Sequence, residues 1–156
     1  MSTHRAFVPD LSIHKPGDVV ALEGDDAHHL ARVKRVEPGA AVLLLDGRGK
    51  VGSSVVTGTR KHGRDGWFVD VKVEQVGETP PLTPAVEVWA SVPKGDRLGA
   101  MIDGLSQVGA ASWSPLLAAR TVVEPGAAKM DRVHRIAVES SKQCGRAWML
   151  EIGAGG

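Results

Sequence analysis

Cysteine is almost missing from this 156-residue chain. The single Cys144 rules out an intramolecular disulfide and leaves no cysteine-based metal cluster. No apolar run approaches the roughly 20 residues a membrane helix needs. The first ten residues, Met1 to Asp10, carry no long apolar core of the signal-peptide kind. The expected location is therefore the cytoplasm, with no membrane contact. A charge surplus is also missing: 19 basic residues face 18 acidic ones, a net +1. Up to Val76 there are 11 Lys and Arg against 10 Asp and Glu, and after it 8 against 8. Bulk charge thus does not argue for nucleic acid, and any such surface must come from local clustering. Internal repeats and low-complexity tracts are absent too.

What is present is an ordinary globular composition, 42% hydrophobic and 24% charged, interrupted once by Gly77-Glu-Thr-Pro-Pro-Leu-Thr-Pro84. Prolines so dense favour extended backbone and cannot sit inside a helix or a central strand. The segment reads as a linker over 77–84, dividing a first domain, 1–76, from a second, 85–156. The first domain reads as β. Strands are expected over Asp18 to Glu23, Ala41 to Asp46, Val51 to Thr57 and Trp67 to Val73, with hairpin chemistry at Gly63 to Gly66. Several short strands with tight turns suggest a small barrel. Between them, Asp25 to Val36 reads as a short helix with an acidic N-cap, burying Leu30 and Val33 and stopped by Pro38-Gly39.

The second domain reads as α/β. Val86 to Val92 suits a strand. Asp96 can cap a helix burying Leu98, Met101, Ile102, Leu105 and Val108, with Gly109 as its stop. Trp113 to Leu117 suits a second strand and Asp131 to Cys144 a second helix. Strand, helix, strand, helix implies a parallel sheet. Two strands alone do not make such a sheet stable, and the domain reads as unfinished. Ile152 to Gly156 reads as a ragged terminus, because no helix follows it to form a phosphate loop. The fold class is α+β overall.

Three clusters can carry chemistry. His28, Arg32 and Arg35 follow i, i+4, i+7 and form a basic stripe suited to phosphate oxygens, extended by Lys34, Arg48 and Lys50. The alternative is a solvated face balanced by Asp25 and Asp26. His28 and His29 are adjacent and diverge on a helix, so no metal site is expected. Lys94, in Pro93 to Asp96, follows a predicted strand, where anionic ligands gather in open α/β sheets; the alternative is a plain turn. In Glu139 to Arg146, Gln143 and Arg146 can hydrogen-bond a base or phosphate, as can Arg120. Cys144 has no base paired with it and reads as a buried thiol rather than a nucleophile.

In their order along the chain these pieces resemble the RsmE family of 16S ribosomal RNA uridine-N3 methyltransferases. The pieces are Arg5-Ala-Phe-Val8, His28 to Gly39, Leu45-Asp-Gly-Arg-Gly49, Lys94-Gly-Asp-Arg97, Gln107-Val-Gly109, Pro115 with Arg120, and Gln143-Cys-Gly-Arg146. The resemblance implies an N-terminal PUA-like barrel that grips ribosomal RNA, followed by the first part of a SPOUT domain. It implies S-adenosylmethionine as methyl donor, held in a knot near the family's C-terminus, and a homodimer formed through that region. Arg5, His28, Arg32 and Arg35 would hold RNA of the small subunit; Lys94, Arg120, Gln143 and Arg146 would line the approach to the catalytic pocket. Gly104 and Gln107 stand where the family usually has Lys and Glu. Family members continue for roughly half as long again, which gives a normal-sized domain. The expectation is a chain cut before its cofactor site and dimer interface, inactive alone. The alternative is a non-enzymatic RNA-binding PUA-like module.

Overall fold

The structure, a computed structural model, describes residues 4–63, 66–117 and 126–154. Two compact units divide the chain, Met1–Thr79 and Pro80–Gly156.

The first unit holds one five-stranded sheet in the order β1-β3-β4-β5-β2, formed by β1 (His4–Phe7), β2 (Val19–Leu22), β3 (Ala41–Leu45), β4 (Lys50–His62) and β5 (Gly66–Glu78). Every pairing is antiparallel except β1 with β3. Each strand sends alternate residues into one core: Ala6 and Val8, Leu22, Val42 and Leu44, Val56, and Val69, Val71 and Val73. A fully buried Val or Leu contributes about 1.5–3 kcal/mol, which sets the register firmly. β4 and β5 pair much further than their β-branched runs suggest, from Lys50↔Glu78 to His62↔Gly66. The ladder thus extends through Gly77 and Glu78, into the stretch read as a linker. Arg64 and Asp65, at the expected hairpin tip, lie outside the described residues.

The segment read as one α-helix over Asp25 to Val36 is different. Only α1 (Gly24–His28) is α-helical, and His29–Lys34 is a π-helical turn. The residue at the N-cap is Glu23, with no side-chain cap bond, and Asp26 instead accepts the Phe7 N–H at 2.7 Å. The stop is Arg35 in the left-handed region at φ 50, three residues before Pro38. It lets the Val36 N–H reach the Leu30 carbonyl at 3.1 Å and carries Val36 into the core. The wider turn shifts the helical phase, so the buried side is Ala27, Leu30 and Val36, while Val33 is 61% exposed.

The second unit is a three-stranded parallel sheet, β6-β7-β8, with β6 (Glu87–Ala90), β7 (Ser112–Pro115) and β8 (Glu151–Ile152). Two helices pack together beside it, α2 (Arg97–Val108) and α3 (Ala127–Cys144). α2 ends at Gly109, φ 88, as its sequence suggests. Its buried side holds Leu98, Ile102 and Ser106, with Met101 and Leu105 half-buried and Val108 78% exposed. Asp96 precedes α2 without a side-chain cap bond. The supposed ragged end is structure: Glu151 and Ile152 pair with Ser112 and Trp113, and the Gly153 N–H donates to the Trp113 carbonyl at 2.8 Å. A side chain at Gly153 would displace Ser114 Oγ and press on the Ser114 Cβ at 3.1 Å, so glycine favours the close approach of the two strands there. Among the described residues no helix is long and apolar enough to cross a membrane.

Candidate nucleic-acid interface

In the first unit the candidate residues meet through one bond. β1 alternates, with Ala6 and Val8 buried and Arg5 and Phe7 on the other side, half-buried. The Phe7 amide is held by Asp26, so the strand carrying Arg5 lies against the helix that carries His28, Arg32 and Arg35. Arg5 is itself engaged within the molecule. His28, Arg32, Lys34 and Arg35 are exposed. The 3.6-residue spacing that would align positions 28, 32 and 35 is broken by the π-helical turn, a feature frequent at functional sites. Asp26 accepts the Phe7 amide N–H and is engaged further within the molecule. Lys50, expected to extend the basic surface, is instead paired with Glu78 at 2.6 Å. Arg48 remains exposed. Among the described residues there is no group of His, Cys, Asp and Glu that could hold a metal.

In the second unit the candidates do not form one cluster. Lys94 is exposed in the turn just before α2, beyond the carboxyl end of β6. Arg146 lies at the other end of that helix, its guanidinium directly against Gly109, where a Cβ would collide with it. Twelve helical residues separate the two places, about 18 Å at 1.5 Å per residue. Gln143 lines an open groove of about 480 Å³ along α2 and α3, with Asp103, Arg132, Arg135, Glu139 and Ser140. Gln107 donates to Asp103 at 2.8 Å beside it. The groove residues recur at i, i+3, i+7 and i+11 along α3, a signal readable in the sequence but not used there. Arg120 lies outside the described residues. Cys144, expected to be buried, is exposed. It is the last residue of α3 before Gly145, which takes φ 69 as C-cap.

One ion pair lies apart from these candidates and shifts the titration of both its members. Arg60 grips Asp70 with two bonds of 2.8 Å and stacks over the Phe68 ring at 5.4 Å. Its hydrogen bonds hold the Asp70 carboxyl below the ordinary range, opposed by partial burial and reinforced by its charge. Asp70 in turn raises Arg60.

The architecture is that of an RNA methyltransferase preceded by a PUA domain. Residues 22–63 match the family model of the RNA methyltransferase PUA domain, and residues 80–154 match that of the RNA methyltransferase domain. The chain belongs to the RsmE family. It is 30% identical over 135 residues to a ribosomal RNA small subunit methyltransferase E of Synechocystis, covering 86% of this chain and 43% of that protein. The corresponding protein of Mycobacterium bovis is 32% identical over 116 residues, 74% of this chain and 42% of that one. The chain thus spans less than half the length of these relatives. A Neisseria gonorrhoeae ribosomal RNA small subunit methyltransferase E bound to S-adenosyl methionine superposes with TM-score 0.84 at 22% identity, over 97% of this chain and 61% of that one. A Legionella pneumophila methyltransferase in complex with the same cofactor gives 0.82 at 24%, over 100% and 64%. At these identities the likeness is one of fold: a PUA-like barrel and the first part of a SPOUT domain.

The groove along α2 and α3 does not fit S-adenosylmethionine. It is open, and its lining sets Ile136 among Asp103, Glu139, Arg132 and Arg135 on an exposed helix pair rather than enclosing a slot for an adenine ring.

Proposed function

We propose that this chain is the RNA-gripping barrel and leading SPOUT segment of a cytoplasmic methyltransferase that places a methyl group on uridine N3 of 16S ribosomal RNA. The observation that carries the reading is the succession, in one chain, of a PUA unit and a methyltransferase unit that both match RNA methyltransferases. Its relatives act on small-subunit ribosomal RNA by name. In this reading Arg5, His28, Arg32 and Arg35 position the RNA through phosphate contacts, which fix register without reading sequence. Lys94, Arg120, Gln143 and Arg146 approach the target nucleotide. Because Lys94 and Arg146 sit at opposite ends of α2, one chain does not gather them around a single base. A second copy, as in the family homodimer, would be needed to complete the set. S-adenosylmethionine supplies the methyl group in the whole protein, and the residues of this chain orient the RNA toward it.

The test uses the 156-residue chain and a labelled fragment of small-subunit ribosomal RNA containing the target uridine. Binding that weakens steeply with salt is expected, without calorimetric heat from S-adenosylmethionine. Cofactor binding by the folded chain would show that this span builds a donor site after all. Failure to bind the RNA at low salt would remove the RNA-gripping role.

A further inference from the structure

We propose that the cleft between the two edge strands of the first unit, β1 and β2, docks an extended, basic polypeptide segment that adds to β2 as a further strand. β2 is the last strand of its sheet and, among the described residues, pairs only with β5. The Val73 N–H donates to the Asp18 carbonyl at 2.9 Å and the Gly17 N–H to the Val73 carbonyl at 2.8 Å, which makes Asp18 opposite Val73 a hydrogen-bonded position. Antiparallel alternation then turns the backbone of Val20 and Leu22 toward β5. The N–H and C=O groups of Val19 and Ala21 face the cleft. Both residues are exposed, Val19 at 61%.

Natural sheets block such edges with proline, lysine, a bulge or a covering helix. The strand Val19-Val-Ala-Leu22 has none of the first three. On the opposite edge, by contrast, the Phe7 N–H is already taken by Asp26 of α1. One outward amide of the β1 edge is thus taken, while no such bond is made along β2 among the described residues.

The cleft, about 370 Å³, also states the charge of its occupant. Phe7, Pro9 and Val19 give it apolar surface; Asp10, Glu23 and Asp26 line it; and among the described residues its lining includes no Lys or Arg. His14 lies between Asp10 and Asp18, 3.8 and 3.9 Å from their carboxylates. A phosphate backbone is repelled from such a surface, and lysine or arginine side chains are drawn to it. A second copy pairing edge to edge would set like charges against each other. A basic peptide satisfies both requirements: its main chain completes the ladder, and its alternate side chains reach the carboxylates.

The experiment titrates the whole chain with a labelled peptide of about eight residues alternating Lys and Val, and with its Glu-Val counterpart. Saturable binding of the basic peptide is expected, at least about tenfold tighter than the acidic one and weakened by salt. Amide exchange at Val19 and Ala21 should slow on binding. Val19→Pro removes the outward N–H while sparing the bonds to β5, and should abolish binding in a chain whose circular dichroism is unchanged. If that variant does not fold, Glu23→Lys serves, with binding weaker by about tenfold. Equal binding of both peptides, or no slowing at Val19 and Ala21, would overturn the proposal. An RNA oligonucleotide protecting those same two amides would make the cleft an RNA surface instead. A dimer in solution that Val19→Pro dissolves would make it a contact between copies.

Discussion

The Asp26 carboxylate accepts the Phe7 backbone N–H at 2.7 Å, fastening the first helix to a strand nineteen residues earlier. Replacing Asp26 with Ala leaves that half-buried amide without its acceptor. The expected loss is about 1.5–3 kcal/mol, the range for hydrogen bonds to charged groups. Urea unfolding measures it, and faster exchange of the Phe7 amide should accompany it.

Arg60 and Asp70 give a pH dependence of known sign. Asp70 titrates below its ordinary value when folded, so the stability it contributes is present above the ordinary carboxylate range and is lost as pH falls through the lowered value. Arg60→Gln should return the Asp70 titration, followed by NMR, toward the ordinary value. The stability difference between the two proteins should disappear in acid.

Gly109 serves two purposes, a left-handed helix stop and a bed for the Arg146 guanidinium. Gly109→Ala should destabilise the second unit by about 1–3 kcal/mol. Adding Arg146→Ala removes the collision but not the backbone strain, so the double variant should recover part of that loss. A chemical-denaturation cycle with coupling above about 0.5 kcal/mol separates the two contributions.

Trp113 is fully buried, and its indole N–H has no partner among the described residues. Trp113→Ala should cost about 3–5 kcal/mol through the cavity it leaves. Trp113→Phe should cost much less, because it also removes an unpartnered buried donor whose penalty is about 1–3 kcal/mol.

Arg32 and Arg35 are exposed on and just after the π-helical turn. If each contacts one phosphate, each Ala variant should reduce the slope of log affinity against log salt by about 0.7–0.9. Affinity should fall for all RNA sequences alike, as measured by fluorescence anisotropy across a salt series.

Local pattern alone determined β3, α2 with its Gly109 stop, and the β-then-α/β order of the units. Apolar spacing and glycine at a left-handed position are short-range signals. Tertiary structure decided the rest. His29 to Lys34 suits an α-helix by composition. The π-helical turn, the left-handed Arg35 and the exposed Val33 follow from bringing Val36 into a core assembled by distant strands. The polar outer halves of β4 and β5 have little apolar pattern of their own and are strands because each pairs with the other. Two residues, Glu151 and Ile152, become a strand only because β7 lies beside them. The same holds for the site. Residue types along the chain name the cations, but the length of α2 puts Lys94 and Arg146 at its two ends, and only sheet order leaves the edge of β2 open. Those are matters of which surfaces meet across the chain, and no window of neighbouring residues contains them.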